Sequence, residues 1–192
     1  MTAILSVCRP YRAACLALIA AFSASAYAAD SPVCTTSVSQ NEIDYGQVTR
    51  AALTGRETNP ATVRLGTRFV TLMVNCRDPV AIGLTVTAPT SADGRARFGE
   101  SGGIALKAFN GVVDGQQTRL AMLDGATPRA SAESVAIRPG DNFGPVNASG
   151  SLAPTTHFSV QLEIDPQISG EATKVRSETR IDGNLRLVLT TY

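Results

Sequence analysis

An all-β antiparallel sandwich is the fold class this sequence predicts, and three observations predict it. Apolar residues recur with a period of two and not 3.6, turn-forming pairs separate the apolar runs, and beyond the first 28 residues no stretch sustains a helical apolar stripe. Many short strands punctuated in this way argue against a barrel enzyme or an α/β fold.

The first segment to justify is the one that does not belong to the fold. Arg9 and Arg12 supply positive charge, residues 13–24 an almost unbroken apolar stretch, and Ala26 and Ala28 the small residues a signal peptidase needs. The apolar stretch is too short to cross a hydrocarbon core, which takes about 20 residues. Cys15 also lacks the apolar residue usual three positions before a lipidated cysteine. Residues 1–28 are therefore expected to be a cleaved export signal, and residues 29–192 a single domain with no membrane anchor. Cleavage takes Cys8 and Cys15 away and leaves Cys34 and Cys76, which in an oxidising compartment read as one disulfide. A loop of that length is worth about 4 kcal/mol in the chain-entropy model. The alternative for the two cysteines is a pair of buried thiols.

Within the domain the strands follow in order. Residues 43–48 and 62–65 are short candidates. Residues 68–76 put Val70, Leu72, Val74 and Cys76 on one face, and residues 80–87 do the same with Ile82, Leu84 and Val86. Residues 104–109, 119–123 and 134–138 are shorter runs. Residues 157–164 alternate most clearly, with Phe158, Val160, Leu162 and Ile164 on one side. The last run, 184–192, turns Leu185, Leu187 and Leu189 inward. Turns are expected at Asp93-Gly94, Asn110-Gly111, Asp114-Gly115, Asp124-Gly125, Pro139-Gly140 and Asp182-Gly183, and the long loops at 88–103 and 141–154.

Catalytic chemistry finds little support. The only histidine, His157, opens a strand with no nucleophile motif beside it. Zinc or copper sites usually take several His or Cys ligands, and one histidine with two disulfide-forming cysteines disfavours such a site, so no metal or other cofactor is expected. Asp93, Glu100, Asp114, Asp124, Glu133 and Asp141 are scattered through loops, where solvated turn residues are the ordinary reading and a glycosidase pair of carboxylates is the alternative. The glycines around Gly99, Gly102 and Gly103 precede a strand-like run and not a helix, so they are a turn and not a phosphate loop. Losing the two signal arginines takes 17 basic residues to 15 against 16 acidic ones, a near-neutral balance that disfavours nucleic acid. The sequence contains no tryptophan, and most aromatic residues sit at core-like positions, which weakens a sugar-stacking surface.

Residues 34–48, Cys-Thr-Thr-Ser-Val-Ser-Gln-Asn-Glu-Ile-Asp-Tyr-Gly-Gln-Val, resemble the opening of bacterial fimbrial subunits, in which a cysteine leads into a strand ending in an aromatic-glycine pair. The likeness continues through the strand carrying Cys76 and through Ile181-Asp182-Gly183-Asn184-Leu185-Arg186-Leu187 to a terminal aromatic. Among such subunits the chain looks most like the beta-fimbrial family of proteobacteria, which shares the Asp-Tyr-Gly opening and the Asp-Gly ending. The resemblance implies a chaperone-usher pilin: an immunoglobulin-like sandwich missing its last strand. A periplasmic pilus chaperone lends a strand to the groove, an outer-membrane usher handles assembly, and a neighbouring fimbrial subunit then replaces the chaperone's strand. It further implies that Leu185, Leu187, Leu189 and Tyr192 form the strand-binding edge. In the family the aromatic is penultimate, whereas here Tyr192 is last, so the implied anchor shifts by one residue. Residues 29–33, which include Pro32, are too short to serve as a donor strand, so the chain is expected to accept a strand and not to give one, at a distal or non-polymerising position. The expected location is the periplasm in transit and then the cell surface. An ordinary closing strand in a complete sandwich gives the same alternation. A secreted adhesin or carbohydrate-binding module is the alternative of a different class, supported by the long polar loops.

Overall fold

A computed structural model describes residues 34–54, 61–175 and 177–192, all within one compact unit, Ser31–Tyr192. The signal segment, with Ala26 and Ala28, lies outside the described residues. Almost every regular element is a strand, and every strand pair is antiparallel.

The strands are β1 (Cys34–Val38), β2 (Thr62–Arg64), β3 (Arg68–Val80), β4 (Ile82–Thr87), β5 (Ala96–Phe98), β6 (Gly102–Val113), β7 (Gln116–Asp124), β8 (Thr127–Ala132), β9 (Ser134–Ile137), β10 (Asn142–Val146), β11 (Thr155–Ser169) and β12 (Arg186–Thr191). The first sheet is built on β11, flanked by β3 and β6, with β1 outside β3, β5 and β9 on β6, and β2 against the far end of β11. The second runs β8-β7-β10-β4-β12. The two are joined where β6 leaves the first sheet: Asn110 at φ 52° and Gly111 form a bulge opposite β11, and the strand then pairs with β7 through residues 111–113. Asp114 and Gly115, both at positive φ, close that hairpin.

The core is the pair of inward faces the alternation predicts. Leu72 and Val74 of β3, Ile82 and Leu84 of β4, Phe143 of β10 and Phe158 and Val160 of β11 are fully or almost fully buried. Each such side chain contributes about 1.5–3 kcal/mol by leaving water. Cys34 and Cys76 face each other in the β1/β3 register and are bonded, closing a 42-residue separation. The remaining expected strands stand, several of them longer than expected, with one exception.

Residues 43–48 form no strand. Asp44 Oδ1 takes the Gly46 N–H (2.7 Å) and Gly46 sits at φ 68°, a turn that removes the backbone from the extended region. Instead the chain runs as an irregular segment from the end of β1 to a five-residue helix, α1 (Arg50–Thr54), whose start is capped by the Thr49 hydroxyl taking the Ala52 N–H. The two expected loops each hide a strand: β5 lies within 88–103, and β10 within 141–154.

Candidate functional site: an open sheet edge beside an apolar groove

The last strand is where the two sheets fail to match. β12 pairs residue for residue with β4, from Arg186 opposite Thr87 to Thr191 opposite Ile82, and with no other strand among the described residues. Tyr192 N donates to Ala81 O (2.9 Å) and fixes the parity of the ladder. Backbone groups alternate sides along an antiparallel strand, so Arg186, Val188 and Thr190 turn theirs to β4, while Leu187, Leu189 and Thr191 turn theirs to the open side. The same alternation puts the side chains of Leu187 and Leu189 inward, where with Leu185 they are half-buried against the core. An edge offering free N–H and C=O groups over inward leucines is a template for a further strand.

Beside this edge lies a groove of about 1620 Å³. Its floor is the inner face of the first sheet, Val70, Leu106, Leu162 and Ile164, and its wall is Val86, Leu185 and Leu187 of the second. Leu106, Leu162 and Ile164 keep 6, 6 and 8 % of their surface, against 0 % for Leu72, Ile82 and Leu84. The floor is thus slightly less completely covered than the centre of the core. Much of the groove's remaining lining is irregular chain, residues 40–48 on one side and 177–185 on the other.

Of the four residues expected at the strand-binding edge, the structure brings three together. Leu185, Leu187 and Leu189 share one face, and Tyr192 falls on the opposite parity. Its ring lies across Gly83, where an added Cβ would come within 2.9 Å of it, and its hydroxyl meets Asn142 Nδ2 at 2.5 Å. Tyr192 therefore holds the end of β12 on β4 from the outer face. Counting by two from Leu189 would have shown this, since 191 and not 192 continues the leucine series.

Sequence reasoning missed Tyr45 and the charges around it. Tyr45 reaches the groove with its hydroxyl buried and without a hydrogen-bond partner, its ring 5.2 Å from the Arg68 guanidinium. Burial pushes the Tyr45 phenol up, partly opposed by Arg68 and reinforced by Asp165. Asp165, itself buried on β11, is ion-paired with Arg64 of β2 and accepts from Gln167 Nε2.

The polar residues considered for catalysis are placed as structural groups. His157 is exposed on β11 beside Asp114, and Asp114 Oδ1 accepts the backbone N–H groups of Thr156 (3.2 Å) and His157 (2.8 Å). Burial works to raise the Asp114 carboxyl, but these bonds outweigh it and hold it below the usual range. Hydrogen bonds from Arg95 and Ser91 lower Asp93 well below that range, Asp124 pairs with Arg129, and Asp141 accepts from Arg138 N. Among the described residues no cluster of His, Cys, Asp and Glu could hold a metal ion, and no helix is long and apolar enough to cross a membrane.

No family model matches the chain, and no curated protein matches it. Among solved structures it is similar to the P pilus rod subunit PapA, at 14 % identity and a TM-score of 0.36, over 83 % of this chain and 99 % of that one. The open edge and the groove, not this match, carry the functional reading.

Proposed function

We propose that this chain is a structural subunit of a bacterial surface fimbria, completed by a β-strand from another polypeptide laid along β12. The observation that carries the reading is the unpaired side of Leu187, Leu189 and Thr191 next to a groove floored by core residues. An incoming strand there gains backbone hydrogen bonds from the edge and buries alternate side chains against Leu106, Leu162 and Ile164. The disulfide supports an oxidising location, and the Cys34 to Val48 and Ile181 to Leu187 motifs support the chaperone-usher route. In that route a periplasmic chaperone supplies the first strand, an outer-membrane usher receives the complex, and a neighbouring subunit supplies the final strand. With only residues 29–33 ahead of Cys34 after signal cleavage, this chain accepts a strand without donating one.

Co-expression with the pilus chaperone of the same genome tests this. A stable one-to-one complex, trypsin-resistant where the chain alone is cleaved, is the expected result. A chain that purifies alone as a protease-resistant monomer and ignores the chaperone would overturn it.

A further inference from the structure

The irregular segment between β1 and α1 is pinned at both ends and loose between them. At one end Ser39 N donates to Thr71 O (2.9 Å) and Ser39 Oγ accepts from Thr71 N (3.0 Å). At the other, Thr49 caps α1 with its hydroxyl and its carbonyl. From 40 to 48 no backbone-to-backbone hydrogen bond is made among the described residues. Side chains alone hold this stretch: Gln40 Nε2 donates to Phe69 O (3.3 Å), Ile43 packs on the core, the Tyr45 ring meets Arg68, and Gln47 Nε2 donates to Glu178 Oε1 (3.3 Å).

This stretch lines the groove, and the contact between Gln47 and Glu178 ties it to the other irregular segment, 177–185. It covers the apolar floor without adding a strand to β12. Backbone groups free of any ladder make it far easier to displace than a paired strand, which would have to break one hydrogen bond after another. The orphaned Tyr45 hydroxyl points the same way, since a buried donor without an acceptor opposes the closed arrangement and finds water when the segment lifts.

We infer that residues 40–48 are a strap that roofs the groove in the free chain and must part from residues 177–185 at Gln47 and Glu178 before another strand can enter. The inference rests on the acceptor reading above and adds to it a closed, self-covered state. The strap shields core residues while no partner is present, and it sets the rate at which a strand is taken up. It does so because Ile43 and Tyr45 have to leave the floor first.

The test uses the disulfide-intact mature chain and a synthetic peptide of about twelve residues alternating valine and serine, long enough for one strand. Uptake is followed by native mass spectrometry, and groove exposure by the fluorescence of an apolar dye. Ile43→Ser with Tyr45→Ser is expected to raise dye fluorescence several-fold and speed uptake about tenfold, as loss of about 1.4 kcal/mol of closed-state preference would. Gln47→Ala, which removes no apolar contact, is expected to give a smaller acceleration in the same direction and covers the case of a misfolded double variant. Measurable uptake at a rate unchanged by either alteration overturns the strap and leaves the acceptor edge standing. No uptake by wild type or variants, with dye fluorescence raised, removes the acceptor reading and the gate with it.

Discussion

The two terminal strands make an instructive pair, because both sit at a sheet edge and each is secured differently. β1 carries Thr35, Thr36 and Ser37, mostly exposed, and is tied to β3 by the Cys34–Cys76 bond as well as by its five-residue register. β12 has no covalent tie; it carries inward leucines, borders an apolar groove and ends on a tyrosine that grips the outer face of β4. Polar side chains and a crosslink finish an edge, whereas apolar side chains beside a floor roofed only by irregular chain leave one unfinished. The chain has put its covalent constraint on the edge with the polar side chains and none on the edge with the inward leucines.

Breaking the crosslink is the largest change the comparison predicts. Cys34→Ser with Cys76→Ser should cost about 4 kcal/mol, chiefly by freeing the unfolded chain, and urea unfolding should show a midpoint lowered by that loss divided by the m-value. The variant loses stability whether or not a partner strand is bound, because the bond sits at Cys34, at the opposite end of β1 from Val38, the one β1 residue that lines the groove. A midpoint within error of the parent would mean that sheet pairing alone secures β1. Next in size is Leu187→Asp, which puts a charge on the groove wall. It should cost about 2 kcal/mol in the free chain and abolish capture of a partner strand, measured by pull-down with the chaperone. Retained capture would show that β12 is not the receiving edge.

How much of this could be read from residues alone depended on whether one face of a strand was buried and the other wet. Residues 157–164 were legible for that reason, with Phe158, Val160, Leu162 and Ile164 against the core and polar side chains between them. β10 was not, because Asn142-Phe143-Gly144-Pro145-Val146 is buried almost throughout and shows no alternation. Gly144 is required there, since an added Cβ would meet Ile82 O at 2.5 Å, and Pro145 is tolerated because it lies past Asn142 and Phe143, through which β10 meets β4. Residues 43–48 misled in the opposite sense: Ile43 and Tyr45 do turn inward, but the Asp44-to-Gly46 turn prevents a ladder. Inward leucines at the end of the chain could be read off directly. That no strand among the described residues lies beyond them could not, because a missing neighbour leaves no mark on a strand's own pattern.

The tyrosine grip on β12 sharpens the comparison at a smaller scale. Tyr192→Ala removes the ring over Gly83 and the bond to Asn142, and should cost about 1 kcal/mol. Gly83→Ala in the parent forces a Cβ against Tyr192 and against Asn142 Oδ1, 2.6 Å from the position it would occupy. In the Tyr192→Ala background part of that clash is gone, so the two changes together should cost less than the sum of each alone, in thermal unfolding of all four proteins. Strict additivity would mean that the ring does not rest on Gly83.

Acid should produce the smallest of these effects, and at a hairpin that does not pair with β12. The Asp114 carboxylate gathers the N–H groups of Thr156 and His157 at the β6–β7 hairpin, and its folded-state pKa lies below the ordinary value. A group depressed by folding contributes stability that is present above its unfolded pKa, about 3.9, and disappears as pH falls through the folded value. The thermal midpoint should therefore decline as pH drops below about 4, and Asp114→Asn should lower the midpoint at pH 7 while making that decline shallower. Asp93, held low by Arg95 and Ser91, should matter less, because its ion pair stands in solvent that screens it. An Asp114→Asn protein whose acid decline runs parallel to the parent's would show that the hairpin carboxylate is not among the groups that acid titrates to unfold the chain.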